Sequence, residues 1–153
     1  RVAALWRQGK IYDLNKLIPK GTEWTNLSSA EAINNKRCIA GIGTISGKGH
    51  AFLLAPVVLQ KLTFAPLHAI GGQFVVVQAL LDGDAPFALD IEAKLTNLSR
   101  VAQLISSVAT VREGARSAEF RIETQPVDAP QSGELEVSFG GTSLTTRLTI
   151  KPR

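Results

Sequence analysis

One cysteine, no methionine, two histidines, six Phe, two Trp and one Tyr in 153 residues leave this chain short of the side chains from which most enzyme sites are built. Cys38 stands alone, so no internal disulfide is possible. No His or second Cys neighbours it in sequence, which removes the usual partners of a reactive or metal-bound thiolate. Its setting, Arg37-Cys38-Ile39-Ala40, is strand-like and implies packing. His50 and His68 lack further ligand types at short spacing, and no Ser-His-Asp set can be assembled. No apolar run approaches the length of a membrane span, and no signal peptide is visible. Position 1 is Arg and no Met occurs, so the start reads as a processed or truncated end, compatible with export. Lys and Arg nowhere reach the density of a nucleic-acid-binding arm. The net charge of +4 and pI near 9.5 therefore read as a solvated basic surface, one that an acidic glycan or cell surface could also exploit.

What is present favours a folded chain of strands. It is 44% hydrophobic and 20% charged, above the hydrophobicity at which chains stay disordered. Thr, Ser, Val, Ala and Gly are plentiful, a mix that suits strands and tight turns. At 16.4 kDa there is material for one sizeable core or two small ones.

Two textures divide the chain. Residues 1–56 are rich in Gly, Asn and Lys. Val2 to Trp6 is a short apolar run closed by a hairpin turn, Arg7-Gln8-Gly9-Lys10, and Ile11 to Leu14 reads as the return strand. Pro19 to Thr22 has loop chemistry, Ser29 to Asn34 reads as a strand, and a second hairpin joins Arg37–Thr44 to Gly49–Leu54 around Ser46-Gly47-Lys48. Val2-Ala3-Ala4-Leu5-Trp6 is echoed by His50-Ala51-Phe52-Leu53-Leu54, 48 positions later. That period fits a four-stranded blade or similar β-repeat, of which this segment holds one incomplete copy.

Residues 57–153 alternate cleanly. Leu89, Ile91, Ala93 and Leu95 interleave with Asp90, Glu92, Lys94 and Thr96. Ala118, Phe120 and Ile122 do the same with Glu119, Arg121 and Glu123, and Leu135, Val137 and Phe139 with Glu134, Glu136 and Ser138. One face of each strand is buried and the other wet, as in an antiparallel sheet. Gln60–Ala65, Gln73–Leu81 and the segment after Gly140-Gly141 add further strands. Leu98 to Ser107 has helix-compatible spacing but is rich in Val and Ile, so it reads as strand or irregular. Seven or eight short strands with turns between them predict a β-sandwich.

Leu5-Trp6-Arg7-Gln8-Gly9-Lys10-Ile11-Tyr12-Asp13-Leu14-Asn15, Ala32-Ile33-Asn34-Asn35 and His50-Ala51-Phe52-Leu53 resemble the extracellular HAF-repeat family. It pairs a W-x-x-G-x-x-x-D-L segment with A-I-N-x-x-G-x-I-V-G and a closing H-A-F-L. Arg37 stands where the family has Gly and Leu54 where it has Trp, the latter suiting a last copy. The resemblance covers about the first third of the chain. It implies an exported bacterial β-repeat, propeller-like, with no catalytic residues to transfer. The remainder resembles a bacterial Ig-like repeat through Leu62-Thr63 with Pro66, Gly71-Gly72-Gln73, Val111-Arg112-Glu113-Gly114-Ala115, Ser117-Ala118-Glu119-Phe120, Pro126-Val127 and Gly140-Gly141. The small-residue Gly-Gly loop the family often carries near Asp84 to Ala88 is absent. Such domains serve as stalks, spacers or adhesive tips.

Several segments invite chemistry. Gly41 to Gly49 fails the phosphate-loop spacing, and Gly49 stands where that motif needs Ser or Thr. It also fails the dinucleotide fingerprint, having Ser46 in place of the third Gly. A glycine-turned hairpin explains it. Asp82-Gly83-Asp84 with Asp90 is either a set of calcium oxygens or a solvated Asp-Gly turn. Trp6, Tyr12 and Trp24 are the candidate interaction residues, as a sugar-stacking platform or as core and blade packing. Asn26-Leu27-Ser28 and Asn97-Leu98-Ser99 match the glycosylation triplet, which matters only in an exported chain.

The sequence thus predicts an all-β chain: a partial four-stranded β-repeat or blade over 1–56, then an Ig-like antiparallel sandwich of seven or eight strands over 57–153. The expected role is a non-catalytic structural or interaction protein, secreted or on the cell surface, in an assembly or filament. It would self-associate or pack with other domains of a parent protein, without cofactor, metal, nucleic acid or membrane span. The alternative is a ligand- or glycan-binding accessory module of a larger secreted protein.

Overall fold

The computed structural model describes residues 1–19, 21–66 and 68–153, and the chain is all-β. Among the described residues the regular elements are fourteen strands and a single 3-10 turn. They fall into two compact units, Arg1–Pro56 and Val57–Arg153.

The first unit holds two small sheets. Strands β1 (Ala4–Arg7) and β2 (Lys10–Asp13) form an antiparallel hairpin. Its two turn residues, Gln8 and Gly9, lie at φ of +50° and +77°. Two successive positive φ values are the mark of the type I′ turn, whose twist matches that of the flanking strands. A 3-10 turn, Leu14–Leu17, follows directly, so the return strand ends at Asp13 and Leu14 belongs to the next element. The second sheet has the order β3 (Trp24–Ile33), β4 (Ile39–Ile45), β5 (Lys48–Leu54). The expected β-repeat is therefore split into a hairpin and a three-stranded sheet. Gly41 to Gly49 lies on β4, its hairpin turn and β5, as glycine turn chemistry requires.

Strand β3 begins at Trp24, five positions before the strand expected at Ser29. Its ten residues run against seven in β4, and three register shifts absorb the excess. Each bulge resets the in–out alternation and adds twist. Ser28 at one shift gives its hydroxyl to the Ile42 carbonyl at 2.8 Å, and Thr25 at another gives its own to the Thr44 carbonyl at 3.0 Å. The close passage of β3 and β5 across β4 explains Gly41. A Cβ there would overlap the Ser29 carbonyl oxygen and stand 2.7 Å from the Phe52 ring. The core of this unit is small: Ala3, Leu14, Leu27, Ile39 and Phe52 are buried, with Leu5, Leu17, Ile18, Trp24 and Leu54 packed around them.

The second unit is a sandwich of nine strands. One sheet has the order β10 (Ala102–Leu104), β12 (Ser117–Thr124), β8 (Phe74–Leu81), β6 (Leu59–Ala65). The other runs β11 (Val108–Val111), β9 (Leu89–Thr96), β13 (Gln131–Phe139), β14 (Thr142–Lys151), β7 (Ala69–Ile70). The count exceeds the expected seven or eight because β7 spans two residues and carries no readable periodicity. Ala69–Ile70 pairs with β14 in parallel, and every other strand pair is antiparallel. The helix-compatible stretch after Leu98 contains strand β10. Alternation along β8, β9, β12 and β13 sends Val75, Val77, Ile91, Phe120, Ile122, Leu135 and Val137 into the shared core. Thr124 is the buried polar side chain among the described residues. Its hydroxyl is fully engaged, accepting from the Gln73 N–H at 3.1 Å and reaching the Gln73 and Ile70 carbonyls at 2.6 and 3.1 Å.

Gly41→Ala should destabilise the first unit by about 1–3 kcal/mol, the usual cost of forcing extra volume into a packed site. Both tryptophans, Trp6 and Trp24, belong to that unit. A denaturant titration followed by tryptophan fluorescence should therefore show the shifted midpoint.

Candidate functional site

The β1–β2 hairpin presents two unlike faces. Directly opposed residues share a face, and successive residues alternate. Leu5 opposes Tyr12, and Leu5 packs against the small core while Tyr12 is half-buried. Trp6 opposes Ile11 on the other face, where they are 71% and 75% exposed. This corrects the core-packing expectation for Trp6. In a four-residue strand, alternation does not say which face turns inward, and here the shorter Leu5 does. Trp24 lies in the three-stranded sheet, half-buried, its ring edge-on to Phe52 with centroids 6.1 Å apart and planes at 79°. Trp6, Tyr12 and Trp24 thus form no common platform, since Trp6 and Tyr12 face opposite ways and Trp24 is engaged with Phe52.

The inward face of the hairpin is fixed by the peptide of Leu27 on β3. The Asn15 side chain accepts from the Leu27 N–H at 2.6 Å and donates Nδ2 to the Leu27 carbonyl at 3.1 Å. The same carbonyl accepts from the Ala3 N–H at 2.9 Å, and the Ala3 carbonyl accepts from Leu14 N–H at 2.9 Å. Asp13 caps the 3-10 turn. Its Oδ1 accepts from the Asn15 N–H at 2.9 Å and from Asn15 Nδ2 at 3.0 Å. These bonds favour the ionised carboxylate and hold the Asp13 pKa below its usual value, with the Lys16 charge assisting and desolvation opposing. Sequence reading missed Asn15. The Asp-Leu-Asn run signals a turn, but nothing local marks a bond twelve residues away.

The three-stranded sheet also has an outward apolar side. Ile42 opposes Ala51, and Ala40 opposes Leu53, which is 71% exposed. The echo between residues 2–6 and 50–54 does not carry over to burial. Ala3 is buried where Ala51 is exposed, and Ala4 is exposed where Phe52 is buried. The two segments are one residue out of phase, which exchanges their faces.

The charged and polar candidates lie elsewhere. Asp84 pairs with Arg116, which raises the Arg116 pKa, and Asp82 Oδ1 accepts from the Val58 N–H at 2.8 Å. Both carboxylates of the Asp82-Gly83-Asp84 loop are thereby engaged in holding the loop. Among the described residues no three His, Cys, Asp or Glu side chains gather where they could hold a metal ion. His50 and His68 are exposed, His50 on edge strand β5. Cys38 is half-buried just ahead of β4, its N–H bonded to Asn34 Oδ1 at 2.9 Å. Asn97 is exposed in a turn, whereas Asn26 is half-buried within β3. A cleft beside the Asn97 turn is lined by Asn97, Leu98, Ser99, Arg100, Val101 and Gln131, with Arg100 its one ionisable group. No described helix is long and apolar enough to cross a membrane.

Asn15→Ala should cost the first unit about 1–3 kcal/mol by leaving the buried Leu27 N–H without its acceptor. Asp13 predicts an acid limb. Its depressed folded-state pKa means the unfolded chain takes up the proton first. Its contribution should hold above the ordinary carboxylate range and fall away as pH drops through the folded-state value. Fluorescence-monitored unfolding across pH 2–6 should show this limb, and Asp13→Asn should flatten it. In comparisons with known proteins the chain matches no family model and no curated protein.

Proposed function

We propose that this chain is a non-catalytic structural or interaction module of an assembly outside the cell, acting through the outward faces of its first unit. The observation that carries the reading is the Trp6–Ile11 pair, two large apolar side chains directly opposed on a two-stranded ribbon and almost fully in water. Cross-strand pairs of this kind normally gain stability by being covered, and tryptophan is prominent among the residues that dominate protein interfaces. Ile42 and Leu53 add a second uncovered apolar area on the neighbouring sheet of the same unit. The HAF-type and Ig-like resemblances imply export, which supports a cell-surface setting with the sandwich as spacer and the repeat unit as the associating end. Edge strands such as β5 also leave a row of backbone groups able to pair with another chain.

A second reading, a glycan-binding accessory module, draws on the exposed Trp6 ring as a stacking surface. It is weaker because Tyr12 turns to the other face and Trp24 is held by Phe52.

Solution mass measured over a dilution series separates the two. Assembly predicts that mass rises with concentration and that Trp6→Ser with Ile11→Ser weakens association at least tenfold, about 1.4 kcal/mol. A monomer at every concentration whose Trp6 fluorescence responds to soluble polysaccharide would instead establish the glycan reading.

A further inference from the structure

We infer that β5 of one copy pairs antiparallel with β5 of a second copy, Ala51 opposite Ala51 on a two-fold axis, so that two three-stranded sheets join edge to edge. The inference rests on the assembly reading above and adds the partner, the strand and its register.

The edge of a sheet is a row of unpaired N–H and C=O groups, which folded chains blunt with short strands, bulges or charge. Among the described residues every sheet edge but one is blunted in this way. β1 and β2 have four residues each, β7 two, β10 three and β11 four. β6 has seven, broken by a register shift at its start and carrying Lys61. β3 has ten, broken by three shifts, with Glu31 exposed at the third. β5 is different. Its seven residues pair with β4 from Lys48 to Leu54 without a shift, and no other described strand covers its far side. It holds no proline, and from Gly49 to Leu54 no Lys, Arg, Asp or Glu.

The outward face beside that edge is equally bare of charge. Gly49, Ala51 and Leu53 oppose Thr44, Ile42 and Ala40, and none of these is ionisable. In the sandwich, by contrast, the outward positions of β9 and β12 carry Asp90, Glu92, Lys94, Glu119, Arg121 and Glu123.

A second copy of β5 fits this edge. In the antiparallel register centred on Ala51 all seven residues find a partner, and Gly49 faces Leu53 of the second copy. Nothing stands within 4 Å of the Cβ position at Gly49, and Leu53 projects into water. Symmetry therefore sets a large apolar side chain against an open glycine twice, with the small Ala51 at the axis. The two Lys48 lie at opposite ends of the seven-residue pair, about 20 Å apart, so charge does not oppose the contact. A parallel pairing in register would set them side by side. The antiparallel contact is isologous and closes at two copies. Trp6 and Ile11 lie on the other sheet of the unit and stay free for further association.

Ala51 is exposed and opposes itself only in this register, so sedimentation equilibrium on the full chain with Ala51→Lys and Ala51→Glu tests the pairing. Wild type should associate. Like charges about 4.5–5.5 Å apart across the axis should weaken association about tenfold or more in each variant alone. Mixing A51K with A51E should restore it. Circular dichroism and tryptophan fluorescence confirm that each variant is folded. Amide hydrogen exchange of wild type across Lys48–Leu54 should slow as concentration rises, a readout that holds even where a variant does not fold. If wild type associates and both variants associate as tightly, the β5 pairing is overturned and the assembly reading stands. If each variant alone loses association and the mixture does not regain it, the two-fold register is overturned. If wild type stays monomeric but a peptide of alternating Thr and Val slows exchange across Lys48–Leu54, the edge takes a foreign strand and the self-pairing falls. A wild type that is monomeric and indifferent to the peptide overturns both.

Discussion

The first unit depends on the backbone N–H and C=O of Leu27. Its two sheets share no strand, so no backbone ladder can hold the β1–β2 hairpin to the three-stranded sheet. The Asn15 amide stands in for the missing strand, giving Leu27 both a donor and an acceptor, and the Ala3 N–H adds a second bond to the same carbonyl. An amide can do this because it carries both polarities side by side, as a peptide does. Leu27 itself is buried, so losing these bonds would leave its polar groups dry as well as unpaired. Asp13 orients the amide, and the ionisation of a half-buried carboxylate is thereby coupled to the hold on the buried residue Leu27. The placement of Trp6 follows from this. Once Ala3 and Asn15 are tied to Leu27, and Leu14 to Ala3, Leu5 must face inward and its neighbour outward.

Core size explains why exposed apolar surface gathers on this unit. A sheet with one buried face needs a second layer to cover it. The sandwich supplies that layer from its own chain and, among the described residues, buries twenty hydrophobic residues, whereas the shorter first unit buries five. Small folds generally leave a larger share of their surface uncovered. Here the uncovered part is not spread evenly: Trp6 and Ile11 are matched across the hairpin, and Ile42 and Leu53 lie on one sheet.

The second unit was legible in its sequence because strict period-two alternation survives wherever strands pair in regular register. Leu89 to Leu95, Ala118 to Ile122 and Leu135 to Phe139 all run that way. The turns at Gln8-Gly9, Ser46-Gly47 and Gly140-Gly141 were legible because consecutive positive φ values demand particular residues. Where pairing is irregular, the signal disappears. Bulges broke the alternation of β3 and hid its first five residues, and β7 is too short to show a period. The site was harder. Trp6, Tyr12 and Trp24 stood out as chemistry, but the orientation of Trp6 and Tyr12 depends on long-range bonds to Leu27, and that of Trp24 on its contact with Phe52, which local pattern does not encode.

Exposed apolar pairs and free strand edges are also the ordinary ingredients of aggregation, so a module built on them needs a device that favours one contact over many. The Arg7–Lys10 opposition has the character of such a device. It weakens the isolated hairpin, because two cations are held across one turn without an acid to relieve them. It also makes contact between two hairpin tips unfavourable. A small loss of stability in the free chain is thereby exchanged for discrimination between partners, which is how charge most often contributes to recognition. Trp6 and Ile11 supply the apolar area on one face, while Arg7 and Lys10 charge the turn end of the ribbon from the other face. Neither alone would separate assembly from precipitation.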